Sequence, residues 1–97
     1  MARSSNGSDL PRVVVTGIGI VSPLGNDTAS TWSAITAGQS GIAPITRFDA
    51  SGYETRFAGE VKEFDPVARL GKKDARRTDR YTHFAVSAAL EALEGQQ

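Results

Sequence analysis

A nearly continuous run of β-branched residues places the strongest limit on how this chain can fold. Residues 13–21 are Val-Val-Val-Thr-Gly-Ile-Gly-Ile-Val, with no charged side chain among them. Because apolar and polar residues do not alternate, the pattern predicts a strand covered on both faces, in the middle of a layered fold. The run is also far shorter than the roughly 20 apolar residues that cross a bilayer, so we expect no membrane insertion.

A second segment, near the end of the sequence, is predicted to be a helix that must be packed on several sides. Thr78 or Asp79 can cap it, and we expect it to run to about Leu93, with Gly95 ending it. Apolar residues cover most of its surface, and its polar residues form one narrow stripe of His83, Ser87, Glu91 and Glu94. The other predicted elements are too small to cover this helix, so the 97 residues predict an incomplete core.

Shorter elements are predicted between these two segments. A helix of about three turns is expected to begin at Asp27 or Thr28 and to end near Gly38. Residues 39–53 predict a long ordered loop, and residues 57–64 predict an edge strand.

Composition excludes several classes of function. The chain has no cysteine, so a disulfide framework and thiol chemistry within it are excluded. Its one histidine, His83, cannot build a zinc site alone, and a packed or surface position is favoured over a catalytic base. The 11 basic and 11 acidic residues balance, so no overall field draws the chain to nucleic acid or to an anionic membrane. We expect no cofactor and no metal.

Three glycine-containing segments resemble functional motifs but fail on spacing. After the Gly-Ile-Gly of residues 17–19, Ser22 stands where a dinucleotide-binding fingerprint needs a third glycine. We therefore expect these glycines to permit close packing. Residues 38–41 lack one position of a nucleophile elbow, which leaves Ser40 as a turn residue, and residues 71–73 lack two elements of a phosphate-binding loop.

The best site signal from spacing alone is a cluster of basic residues. Residues 69–80 carry six basic and two acidic side chains, a local balance of +4. Positions 73, 76, 77 and 80 fall on one side of a helical turn, and clustered cations attract an anion or an acidic partner. The alternative is a solvated surface with no specific partner. The basic residues are Arg69, Lys72, Lys73, Arg76, Arg77 and Arg80.

The order of these motifs resembles the opening of β-ketoacyl-acyl carrier protein synthase II, a ketosynthase of the thiolase superfamily. The resemblance begins with residues 12–26, Arg-Val-Val-Val-Thr-Gly-Ile-Gly-Ile-Val-Ser-Pro-Leu-Gly-Asn, and continues through Trp32 and the Ala-Gly-Gln-Ser-Gly-Ile of residues 37–42. It includes the Arg-Phe-Ala-Gly of residues 56–59 and covers about residues 12–95 without a gap.

The resemblance implies an α/β fold, the N-terminal portion of a thiolase-like α/β/α/β/α layered fold that is incomplete in this chain. Residues 12–97 would be the beginning of the ketosynthase N-terminal domain. Residues 1–11 hold small and polar residues without the apolar core of a secretory signal, so we expect a disordered, cytoplasmic N-terminus.

The resemblance further implies an acyltransferase of fatty acid biosynthesis. Such an enzyme elongates acyl chains by decarboxylative Claisen condensation of malonyl-acyl carrier protein with an enzyme-bound acyl thioester. It would be a homodimer whose partners are acyl- and malonyl-loaded carrier proteins. Its Cys-His-His residues come from downstream segments, so no catalytic residue is expected in this chain, and the fragment alone is expected to be inactive.

The basic cluster acquires a role from the same comparison. The family docks its acidic carrier protein on a positive patch, and the matching positions are Lys73, Arg76 and Arg77, with Lys72 and Arg80 as weaker contributors. Two alternatives stay open. One is a ketosynthase or chain-length-factor subunit of type II polyketide synthesis, and the other is a small non-enzymatic module that binds an acidic partner.

Overall fold

The computed structural model describes residues 10–94, in which helices and a small antiparallel sheet follow one another along the chain. The expected disorder of residues 1–11 lies mostly outside the described residues, and so does the helix-ending role of Gly95. The elements are α1 (Thr28–Thr36), β1 (Ile42–Pro44), β2 (Phe57–Gly59), α2 (Pro66–Leu70), α3 (Lys72–Arg77) and α4 (Arg80–Leu93).

The predicted buried strand at residues 13–21 does not form. The segment lies outside every assigned strand, and its first three valines are exposed, with Val13 at 92% and Val15 at 81%. A strand needs a neighbour to pair its N–H and C=O groups, and the sheet of residues 10–94 contains only β1 and β2. The prediction is wrong for this chain because strand preference alone does not supply the partner that makes a strand.

Helix α1 forms where the sequence predicts it. The Asp27 carboxylate caps it by accepting a hydrogen bond of 2.8 Å from the backbone N–H of Ser30. Gly38, just beyond the helix, has φ of +75°, the left-handed conformation that glycine adopts most easily. The helix buries Thr31 and Ala34, whereas Trp32 remains 65% exposed.

The small sheet pairs β1 with β2 in antiparallel register, with Ile42 opposite Gly59 and Pro44 opposite Phe57. The strand predicted for residues 57–64 is therefore confirmed only over its first three residues. Its partner lies within residues 39–53, where the sequence predicted a loop. Pro44 is the last residue of β1, and one further backbone hydrogen bond follows it, from the Ile45 N–H to the Arg56 carbonyl oxygen at 2.9 Å.

Two short helices connect the sheet to α4. The carboxylate of Asp65 caps α2 by accepting from the N–H of Val67 at 3.0 Å, and Pro66 occupies the first helical position. Gly71, with φ of +87°, separates α2 from α3, so the chain changes direction between them. Ala75 is the buried residue of α3.

Helix α4 forms over the predicted range, beginning at Arg80 with Asp79 at the N-cap position, but the expected side-chain capping hydrogen bond is not made. Its polar stripe faces the rest of the chain, since His83 and Ser87 are buried at 9% and 2% exposure. Its apolar side is uncovered, with Tyr81 75% exposed and Leu93 65% exposed. The described residues thus cover α4 on one side only, which agrees with the expectation that most of its packing is missing.

The described residues form very little core. The buried hydrophobic residues among residues 10–94 are three alanines, Ala34, Ala50 and Ala75. No large side chain in this range is fully buried, that is, less than 2% exposed. The radius of gyration is 18.2 Å, whereas a compact domain of about 100 residues has roughly 13 Å. The incomplete core predicted from the sequence is confirmed. No helix within residues 10–94 has the length and apolar character needed to span a membrane.

Candidate functional site

Four cationic side chains of α3 form an exposed basic surface. They line an open concavity of about 590 Å³, and we name this set the α3 basic surface: Lys72, Lys73, Arg76 and Arg77. Within the described part of the chain, none of the four forms an ion pair or a side-chain hydrogen bond, and the one ion pair found there joins Arg69 to Glu94. Their charges are therefore available to an anionic partner.

The short helix supports this arrangement. Helical spacing places residues 73, 76 and 77 near one another, and Ala75 turns inward between them. Asp74 in the first turn and Arg76 and Arg77 in the last turn are placed as a helix dipole favours, whereas Lys72 and Lys73 in the first turn are not. The structure thus brings together the three residues that the sequence assigned to docking and Lys72, which the sequence named as a weaker contributor.

Arg69 belongs to the predicted basic cluster but is held by contacts within the chain. Its Nη1 donates to Glu94 Oε1 at 2.9 Å, and its Nε donates to Ser87 Oγ at 3.3 Å. These contacts attach α2 to the second half of α4. Arg69 therefore stabilises the fold instead of extending the α3 basic surface.

Arg80 is separated from the α3 basic surface as well. Its Nη2 donates to the Val61 carbonyl oxygen at 3.3 Å, and its guanidinium lies 4.8 Å from the centre of the Phe84 ring. Helical spacing had grouped Arg80 with the docking residues, but α3 ends at Arg77 and the backbone is extended at Thr78, so the spacing does not continue. The grouping of Arg80 with the other cations is thereby corrected.

His83 is a packed residue, as the sequence favoured. It is 9% exposed, and its Nε2 donates to the carbonyl oxygen of Ala75 at 2.9 Å. This bond joins α4 to α3. Within residues 10–94, no group of three or more His, Cys, Asp or Glu side chains could hold a metal ion.

Glu91 was assigned only to the polar stripe of α4, and the structure gives it a specific contact. Its carboxylate accepts hydrogen bonds from the Thr28 N–H and the Ile20 N–H, both at 2.9 Å at the shortest, and from the Thr28 hydroxyl at 3.1 Å. Burial disfavours the charged form, but the hydrogen bonds from Thr28 and Ile20 outweigh it and hold the pKa of Glu91 below its usual value. No local pattern in the sequence pairs these distant residues.

Gly19 has the packing role that the sequence favoured for the glycines of residues 17–19. A Cβ atom on Gly19 would overlap the carbonyl oxygen of Ala88 in α4, so only glycine allows this approach. Ser40 is likewise a turn residue, because its hydroxyl accepts from the Ile42 N–H at 3.2 Å.

Comparisons with known proteins agree on one family. Residues 10–97 match the family of the beta-ketoacyl synthase N-terminal domain. The chain is 52% identical over 83 residues to 3-oxoacyl-[acyl-carrier-protein] synthase 2 of Coxiella burnetii, covering 86% of this chain and 20% of that protein. It is 46% identical over 86 residues to the protein of the same name from Staphylococcus aureus strain COL, covering 89% of this chain and 21% of that protein.

A solved structure shows the same relationship in three dimensions. The ishigamide ketosynthase/chain length factor superposes with a TM-score of 0.74 at 34% sequence identity, over 84% of this chain and 20% of that one. The chain therefore spans about a fifth of the length of the relatives that it matches. Its helices and small sheet are the N-terminal portion of a thiolase-like α/β fold, and the chain belongs to the beta-ketoacyl synthase family.

Proposed function

We propose that this chain is the leading part of a condensing enzyme that elongates acyl chains on acyl carrier protein, and that its α3 basic surface docks the carrier protein. The observation that carries the docking proposal is the set of four exposed cations on α3 with no anionic partner in the described residues. Relatives at about 50% identity are named as 3-oxoacyl-[acyl-carrier-protein] synthases, which supports a carrier protein as the partner.

The reaction we propose is the transfer of an acyl group to an enzyme thiol, followed by decarboxylative condensation with malonyl-acyl carrier protein. This chain has no cysteine to accept the acyl group, so the proposal places the catalytic residues in other segments of the enzyme. Residues 12–97 would then contribute scaffold and docking surface. A homodimeric assembly and a cytoplasmic location are parts of the same proposal and rest on the family resemblance.

Exposed charge pairs would determine the affinity, the association rate and the salt dependence of this docking. Each exposed pair contributes about 0.2 to 1 kcal/mol, so several pairs give weak binding that is fast to form and sensitive to salt. Such binding suits a carrier protein that must leave after delivering its acyl group. We therefore expect the affinity to fall as ionic strength rises.

The docking proposal is tested by removing charge at two different places. Dye-labelled acyl carrier protein is titrated with the chain, with Arg76→Ala/Arg77→Ala, and with a control of equal net charge, Arg47→Ala/Arg56→Ala. The control arginines are also exposed but lie near the small sheet. Loss of two charge pairs, about 0.4 to 2 kcal/mol in total, predicts binding that is roughly 2- to 30-fold weaker for the α3 variant only. Equal weakening by both variants would contradict a specific docking surface.

The proposal that the catalytic residues lie in other segments of the enzyme has a separate test. Incubated with malonyl-acyl carrier protein, the 97-residue chain should release no carbon dioxide above the uncatalysed background. Release that depends on the chain would place part of the catalytic machinery inside these residues and refute the proposal.

A second candidate is a ketosynthase or chain-length-factor subunit of polyketide synthesis. The superposition on the ishigamide ketosynthase/chain length factor supports it, at lower identity than the fatty-acid relatives. The two functions differ in the acyl product that the complete enzyme forms. The complete enzyme is incubated with malonyl carrier protein and with the enzymes that reduce the β-keto product. Mass spectrometry of the acyl product then distinguishes a saturated chain from a polyketide.

A further inference from the structure

We infer that His83 is a positioning residue that fixes α3, and with it the α3 basic surface, against α4. The inference rests on the proposed docking function, because it states how the docking surface is held in place. Its basis is the hydrogen bond from His83 Nε2 to the Ala75 carbonyl oxygen.

Helix α3 needs an external anchor. It has six residues, whereas isolated helices shorter than about 12 to 15 residues are marginal in water. Its N-cap is Gly71, which provides no side-chain hydrogen bond, and Ala75 is the one residue that it buries. At its other end the Thr78 hydroxyl donates to the Asp74 carbonyl oxygen at 2.7 Å, but this bond is local and does not hold α3 against another element.

His83 supplies the anchor at the right place. Ala75 lies in the last turn of α3, where carbonyl oxygens lack partners within the helix. Among residues 10–94, His83 is the one side chain of another element that hydrogen-bonds to α3. The bond is buried, so water competes with it little, and an unpaired Ala75 carbonyl would be costly there.

The base of the anchor is itself held firmly. One turn before His83, Arg80 is tied to the Val61 carbonyl oxygen and to the Phe84 ring. Phe84 in turn meets the edge of Phe64 with ring centres 5.1 Å apart. Because the first turn of α4 is fixed, the hydrogen bond from His83 also fixes the position of Ala75. Lys73 lies two residues before Ala75 and Arg76 directly follows it, so both cations are fixed with it.

The experiment compares His83→Ala, His83→Gln and Thr31→Val in the 97-residue chain. Thr31 is a matched control because it is also buried and hydrogen-bonded, through its hydroxyl to Ser22 Oγ at 2.8 Å, but lies away from α3. Two quantities are measured, the affinity for acyl carrier protein and the amide exchange rates of residues 72–77. Glutamine keeps a side-chain N–H that can reach the Ala75 carbonyl, so it serves as the rescue variant.

We expect His83→Ala to weaken carrier-protein binding about fivefold, the effect of one hydrogen bond, and to speed amide exchange in α3 by a similar factor. His83→Gln should restore most of both, and Thr31→Val should change neither. Unchanged exchange in α3 on His83→Ala, or equal effects of Thr31→Val, would overturn the inference. If the unsubstituted chain fails to bind the carrier protein, the docking proposal fails, and the exchange rates still decide whether His83 anchors α3.

Discussion

Replacing Glu91 by glutamine tests how the N-terminal segment, α1 and α4 are joined. The two carboxylate oxygens of Glu91 accept different hydrogen bonds. Oε1 accepts from the Ile20 N–H at 2.9 Å and from the Thr28 hydroxyl at 3.1 Å, and Oε2 accepts from the Thr28 N–H at 2.9 Å. Glutamine keeps one acceptor oxygen, but its amide group is a donor. In Glu91→Gln, one of these N–H groups therefore meets another donor and loses its bond.

The magnitude follows from the kind of bond that is lost. A hydrogen bond to a charged group contributes about 1.5 to 3 kcal/mol, and a neutral one about 0.5 to 1.5 kcal/mol. A carboxylate at the N-terminus of α1 also gains about 0.3 to 1 kcal/mol from the helix dipole. Because Glu91 is partly exposed, we expect a cost of about 1 to 3 kcal/mol, or roughly 5- to 150-fold in the opening of this contact.

The free-energy cost of Glu91→Gln should depend on pH. The folded chain holds the pKa of Glu91 below its usual value of 4.5, so the charged carboxylate stabilises the contact at and above that value. The stabilisation is lost as the pH falls through the lowered pKa, because the carboxyl then takes up a proton. The difference between the chain and Glu91→Gln should therefore be large at pH 7 and should shrink as the pH falls below 4.5 and through the lowered pKa of Glu91.

Nuclear magnetic resonance measures both quantities. A carbon-13 titration of the Glu91 carboxyl gives its pKa, and amide exchange of Ile20 and Thr28 gives the opening equilibrium. Glu94→Gln is the matched control, since Glu94 directly follows α4 and contacts Arg69 instead of α1. A normal pKa for Glu91, or equal acceleration of Thr28 exchange by both variants, would refute this role for Glu91.

Two further substitutions test other contacts. Gly19→Ala should push the N-terminal segment away from Ala88, at about 1 to 3 kcal/mol, and speed amide exchange at Ile20, whereas Gly52→Ala, with open space around it, should not. Asp65→Ala should remove the cap of α2 and cost about 0.5 to 2 kcal/mol, which is measured as a loss of helical signal by circular dichroism. An unchanged helical signal in Asp65→Ala would contradict the capping role.

Local signals in the sequence predicted α1 and α4 well. The cap at Asp27 and the left-handed Gly38 depend on neighbouring residues only, and both are confirmed. The extent of α4 follows from its own apolar pattern. Such features are set by chemistry within a few residues, so a sequence displays them directly.

Features that depend on distant partners could not be predicted in the same way. Residues 13–21 have strand preference but no neighbouring strand in this chain, and Glu91 meets Ile20 and Thr28 across about 60 to 70 positions of sequence. Arg80 looked like a docking cation because helical spacing was carried past the end of α3. In each case the outcome depends on which segments come together, and periodicity does not contain that information.

The most direct test of the proposed function is to locate the bound carrier protein on this chain. Titration of the nitrogen-15-labelled chain with acyl carrier protein at low and high salt identifies the amides that respond. We predict shifts concentrated in residues 72–77 that diminish with salt, in the same region as the four cations of α3. Shifts concentrated on the exposed apolar side of α4, or no shifts at low salt, would contradict docking through α3.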